Sequence, residues 1–227
     1  MLGLKLREEF TGKRAGGTII DFNNRRGTGA LDRSAKDFLA ITYPSIDLLK
    51  TIEAVQPDST RPVVIIGSRG QGKSHLMAAL AHMLQDVDAG SSWLHQWSSS
   101  AENSALGNLA LRQEMHVIAE SLHLHNYKFL WDLLFDNHPA GTYARGAWEG
   151  QGDNKTEVPG YAVIREMLEK QPTALILDEF QTWYEGLTNT KQYPWRNWAF
   201  NFIQILSEIA RQHPELLLMV VSVRDGT

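Results

Sequence analysis

PVVIIGSRGQGKSHLMAALAHMLQD, residues 62–86, carries an apolar run into a glycine-rich loop and then into a helix-forming stretch with no internal Gly or Pro. That order predicts a buried strand, a tight loop and an amphipathic helix. Residues Gly67 to Ser74 fit G-x-x-x-x-G-K-[ST], and each fixed position has a physical reason. Gly67, Gly70 and Gly72 let the backbone curl with its N–H groups pointing inward, which a Cβ would obstruct. Lys73 then reaches the β- and γ-phosphates of a nucleotide as a point charge, and the Ser74 hydroxyl ligates Mg²⁺. The following helix adds its positive dipole end to the same anion site. Ser68, Arg69 and Gln71 complete the loop and His75 follows it, so residues 67–75 form the expected nucleotide-binding set. The four fixed positions arise by chance in roughly one chain of this length in a hundred.

TALILDEF, Thr173 to Phe180, reads as a second buried parallel strand ending in two adjacent carboxylates. Asp178 is placed to hold magnesium with Ser74, and Glu179 to accept a proton from an attacking water, which favours NTP hydrolysis over small-molecule phosphorylation. A third apolar strand, Leu216 to Val221, ends in Ser222 and Arg224. Ligands of open parallel sheets gather outside the carboxyl ends of the strands, so Ser222 is expected to orient water and Arg224 to sense the γ-phosphate.

Composition bounds the rest. The 227 residues are 43% hydrophobic and contain no cysteine, which suffices for one core and excludes disulfides and thiolate metal sites. No secretory segment and no bilayer-spanning run is visible, so the expected compartment is the cytoplasm, with no membrane partner. Net charge is −4, distributed as +4 over residues 1–36 and −8 over the remainder. The basic arm, with Lys13, Arg14, Arg25, Arg26 and Arg33, reads either as a solvated leader or as a contact for a phosphate backbone or acidic partner.

Residues 1–42 are taken as an N-terminal extension and 43–227 as the core. Ser45 to Val55 is an expected helix, and Tyr43 or Pro44 is a candidate adenine contact. Ser91 to Leu109, rich in Ser, Ala and Asn, reads as a surface excursion. Residues 115–122 form an expected strand and YKFLWDLLF an expected helix. His138 to Gly160, with its glycines, reads as a long functional loop, and a helix runs from Pro159 to Gln171. Trp198 and Phe202 belong to a buried helical face, leaving Trp183, Tyr184 and Lys191 as interface candidates of the kind that stack single-stranded bases. His123 and His125 lack a third ligand and predict no metal site.

Several of these stretches together resemble one family. LREEF (6–10), GSRGQGKSHLMAALAH, YKFLWDLLF, RGAWEGQGDNKT, LDEFQTWYEGLTNTKQYPWRNWAFNFIQILSEIA and VVSVRDG are similar to the N-terminal ATPase region of large prokaryotic anti-phage defence ATPases of the phage-growth-limitation or BREX type, within the AAA+/STAND P-loop ATPases. The resemblance implies an α/β, three-layer P-loop NTPase core of AAA+/ASCE type with a mainly parallel sheet. It implies ATP and Mg²⁺ as ligands, work beside DNA and a DNA methyltransferase, and a homo-oligomer when full length. An Arg at the position of Arg224 is closer to STAND switches than to AAA+ motors. Family members run far beyond 227 residues, so a fragment is expected that ends before the fifth strand and helical lid, with one exposed edge on the loop strand. Lys73, Glu179 and Arg224 are the expected catalytic residues of an ATP hydrolase. The alternatives are an ATP-gated scaffold or switch with little turnover, and a helicase-loader-like ATPase suggested by GKSHLMAALAH.

Overall fold

The computed structural model describes Phe22 and residues 29–99, 106–113, 115–123 and 127–225. Lys13, Arg14, Arg25, Arg26, His125 and the stretch 6–10 lie outside these residues. The described elements are α1 (Ala35–Ala40), α2 (Ile46–Ala54), β1 (Val63–Ile66), α3 (Lys73–Gln85), α4 (Val87–Ser98), β2 (His116–Ser121), α5 (Leu130–Asn137), α6 (Gly141–Glu149), α7 (Tyr161–Lys170), β3 (Thr173–Asp178), α8 (Phe180–Gly186), α9 (Trp195–Gln212) and β4 (Leu217–Val223).

The four strands form one all-parallel sheet in the order β1-β4-β3-β2. β3 is buried at every position, as a parallel strand covered on both faces must be. Alternate side chains feed two separate cores. Ala174, Ile176, Leu218 and Val220 join α1 to α4 on one face, while Leu175, Leu177, Leu217, Met219 and Val221 join α5 to α9 on the other. Helices therefore cover both faces of the sheet, and none among the described residues is long and apolar enough to cross a membrane.

Helix α3, expected to be amphipathic, is buried all round from Leu76 to Leu84 because it lies between the sheet and α1 and α4. α9 keeps a two-sided character, with Ala199, Phe202, Leu206, Ile209 and Ala210 inward. Trp198 is only half buried at the margin of this face.

Two expectations need correction, and the junction between residues 42 and 43 is described by its contacts. Residues 91–98 belong to α4, not to a surface excursion: Trp93 and Leu94 are buried, and a Cβ on Gly90 would lie 3.0 Å from the Met83 backbone, so α4 crosses α3 closely. The segment 138–160 contains α6 and a short 3-10 turn at Gly152–Asn154 instead of a long loop. The boundary between residues 42 and 43 falls inside a packed core. Ala30, Phe38 and Leu39 are buried with α3, and the Thr42 carbonyl accepts from Trp93 Nε1 at 3.1 Å.

β1 is an edge strand among the described residues. Val63 and Ile65 pack toward the α3 side, whereas Val64 and Ile66 on the opposite face are 50% and 64% exposed. Its approach is held by the buried Arg112, whose guanidinium donates to the carbonyls of Val55, Gln56, Ser59 and Pro214. The end of α2, the turn before β1 and the entry to β4 are thereby tied at one point.

Candidate functional site

The loop after β1 takes its shape from two left-handed glycines, Gly70 (φ 81°) and Gly72 (φ 80°), positions where other residues would be strained. Gln71 folds over the loop so that its Oε1 accepts the Ser68 N–H at 2.8 Å. A Cβ on Gly67 would meet that Oε1 at 2.6 Å and push the Gln71 side chain off the loop. Lys73 Nζ donates to the carbonyls of Gly67 (2.7 Å) and Ser68 (3.0 Å), so its ammonium rests on the loop's own backbone.

Ser74, in the first turn of α3, donates from Oγ to Asp178 Oδ2 at 2.5 Å, across 104 residues of sequence. Asp178 is buried, and its other oxygen accepts from Ser222 Oγ (2.5 Å) and from the Glu179 N–H (2.9 Å). The same Glu179 N–H lies 2.8 Å from Ser222 Oγ. Glu179 is the only non-glycine described residue at positive φ (54°), a turn that ends β3 and starts α8. Its carboxylate is partly exposed, with Oε2 3.9 Å from His123 Nδ1.

These groups border one cavity of ≈ 520 Å³, walled by residues 69–75 on one side and by the ends of β3 and β4 and the first turn of α8 on the other. β4 lies between the loop strand and the acidic strand, which brings Ser222 and Arg224 to the cavity along with Asp178 and Glu179. Arg224 lines it, and its N–H donates to Gln181 Oε1 at 3.0 Å. Gln181 and Thr182 also line it, and sequence reading passed over both; a helix starting directly after Glu179 was the available signal, because its first turn must face the strand ends.

His75 borders the cavity, but its ring is committed elsewhere. Thr42 Oγ1 donates to the Phe38 carbonyl (2.9 Å), so at 3.1 Å it accepts from His75 Nε2–H, and the ring packs on Phe38 at 4.9 Å. Burial holds His75 below the ordinary imidazole pKa. Gly67 and Ser68 contribute carbonyls to Lys73 but do not line the cavity. Tyr43 stands apart from it, 67% exposed with its ring edge-on to Trp97 at 5.3 Å, and neither it nor Pro44 lines the space. Trp183, an expected interface residue, is a core residue donating Nε1–H to the Tyr127 carbonyl at 2.7 Å.

The donor set at Ser74 and Asp178 is two hard oxygens in contact, which suits Mg²⁺. No cluster of three His, Cys, Asp or Glu side chains occurs among the described residues. A magnesium completed by phosphate oxygens and water needs none. No protein-family model matches the chain, and no curated protein matches it significantly.

Proposed function

We propose that this chain binds Mg²⁺·ATP in the cavity between the glycine loop and the ends of β3 and β4, and hydrolyses it. The observation that supports this best is the Ser74–Asp178 contact beside Glu179, because it joins a hydroxyl, a buried carboxylate and a partly exposed carboxylate at the mouth of a left-handed glycine loop. The loop N–H groups and the N-terminus of α3 bind the phosphates. Lys73 exchanges the Gly67 and Ser68 carbonyls for β- and γ-phosphate oxygens. Ser74 and Asp178 would hold magnesium, which when bound would supply charge neutralisation at the phosphates. Glu179 accepts a proton from water as the water oxygen attacks the γ-phosphorus. The bond to the β–γ bridging oxygen breaks, and ADP and phosphate leave. Arg224 pairs with the γ-phosphate.

The setting we propose, from the resemblance of the tryptophan-rich block, is a cytoplasmic anti-phage defence ATPase working beside DNA and partner proteins such as a DNA methyltransferase, as a homo-oligomer. ATP turnover with Mg²⁺ tests the chemistry. Lys73→Ala should abolish binding and turnover, and Glu179→Gln should keep binding while lowering turnover roughly a hundredfold or more. Nucleotide binding unaffected by Lys73→Ala would sink the reading.

A second reading, an ATP-gated switch with little turnover, is favoured by the chain Asp178–Ser222 and Arg224–Gln181, which links the cavity to α8. In a switch, Glu179→Gln would leave function intact.

A further inference from the structure

A second cavity, of ≈ 830 Å³, shares no lining residue with the loop cavity. It lies between the start of α5, the end of α6, residues 155–157 and the entry to α9. Its walls are ring systems. Phe129 stacks on Trp131 at 4.6 Å, Trp131 meets Trp148 edge-on at 6.0 Å, and Tyr193 stacks on Trp195 at 5.7 Å. Trp131 and Trp148 are buried, and Trp148 is fixed by its Nε1–H bond to the Thr156 carbonyl.

Two features specify the guest. The ring faces take cations: Lys155 Nζ lies 4.3 Å from the Trp148 ring centre and Lys128 Nζ 5.3 Å from that of Trp195. The carboxylates of the wall outnumber these two ammonium groups. Asp132, Glu149 and Glu157 line the cavity, and Glu149 and Glu157 have no ion-pair partner among the described residues. Asp132 shares a single cation, Arg145, with Asp136, at 3.6 and 2.6 Å. Burial, with Asp136 and Glu149 adding to it, holds the Asp132 carboxyl above its ordinary pKa despite Arg145. A phosphodiester would meet this excess of negative charge unfavourably, whereas a guanidinium would relieve it.

We propose that this cavity is a docking site for an arginine side chain on a basic segment of a partner protein. The planar guanidinium takes the place of the Lys128 ammonium at the Tyr193–Trp195 pair and donates two parallel N–H groups to Glu149 or Glu157, while its methylene stem lies along Trp131 and Trp198. The site is independent of the nucleotide reading.

The test is calorimetric titration of the whole chain, without nucleotide, with the peptide amide Gly-Arg-Arg-Gly and with the same peptide carrying citrulline, an isostere without the charge. Saturable binding of the arginine peptide, roughly tenfold tighter than the citrulline peptide and weakened by a similar factor in the surface variant E149Q/E157Q, is the expected result. Unchanged melting of that variant excludes misfolding as the cause. Equal affinity for the two peptides, indifference to E149Q/E157Q, or oligo-dT binding more tightly than the arginine peptide would each overturn the proposal.

Discussion

Ser222 Oγ donates to Asp178 Oδ1 at 2.5 Å and lies 2.8 Å from the Glu179 N–H, so one hydroxyl on β4 holds the carboxylate that ends β3 and the backbone of the acid that follows it. Ser222 is buried, and in the proposed reaction it positions Asp178 and Glu179 where sequence reading expected it to orient water. Ser222→Ala removes the hydroxyl, leaves Asp178 Oδ1 with only one donor, and should cost about 1–2 kcal/mol of stability. Turnover should fall roughly tenfold to a hundredfold with nucleotide affinity changed less than about threefold, and Ser222→Thr should recover most of it. A kcat indifferent to Ser222→Ala would show that the contact does not matter for the chemistry.

Glu179 holds a left-handed backbone that a long side chain adopts at a cost of about 1–2 kcal/mol. Asn tolerates this conformation better, so Glu179→Asn should raise thermal stability by roughly 0.5–1 kcal/mol while eliminating turnover. Melting and phosphate-release assays on the same preparation check the opposed signs.

His138 is buried, with Nδ1 accepting from the Ala140 N–H at 3.0 Å and Nε2 facing the Gln171 carbonyl at 2.9 Å. The neutral Nε2–H tautomer satisfies both contacts, and a proton on Nδ1 would oppose the Ala140 N–H. Burial, helped by His116, holds the pKa below 6.5 although the Gln171 carbonyl pulls upward. The unfolded chain therefore binds more protons than the folded one below pH 6.5. Stability is complete above that value and is lost as pH falls toward the folded pKa. Denaturant titrations at stepped pH should show this slope in the native chain and a shallower one in His138→Gln.

The exposed face of β1 and the buried face of α9 should respond differently to substitution. Val64→Thr and Ile66→Thr replace exposed side chains and should stay within about 0.5 kcal/mol. Phe202→Ala, on the buried face of α9, should cost about 3–5 kcal/mol. Chemical unfolding of the three variants measures the contrast.

Strong periodicity made the frame readable: the apolar runs of β1, β3 and β4 and the inward face of α9 were visible as patterns. α4 escaped because its serines mask a sparse face of Gly90, Trp93 and Leu94. α6 escaped because its glycines read as loop, although a Cβ on Gly141 would stand 2.1 Å from the Phe135 carbonyl, so close packing and not bending explains that glycine. In the site, residues on strand ends were legible since parallel sheets expose those ends. Gln181 and Thr182 were not, because their place depends on where α8 begins. Alternation along one strand treats His123 as a failed metal ligand, but the parallel register that pairs Ser121 with Asp178 sets it beside Glu179, a neighbour relation between strands that one strand's pattern cannot reveal.

Strand pairing also sets a schedule. Among the described residues β1 pairs with β4 alone, Val63 with Val220 through Ile66 with Val223, so the strand that launches the glycine loop waits more than 150 positions for its neighbour. During synthesis, which proceeds from the N-terminus at about 5–20 residues per second, β2 and β3 can zip together seconds before the loop strand finds a partner. The strand that carries the glycine loop is thus the last part of the sheet to find its place, and a ribosome stalled before residue 217 would display α3 and its glycine loop on an unanchored strand.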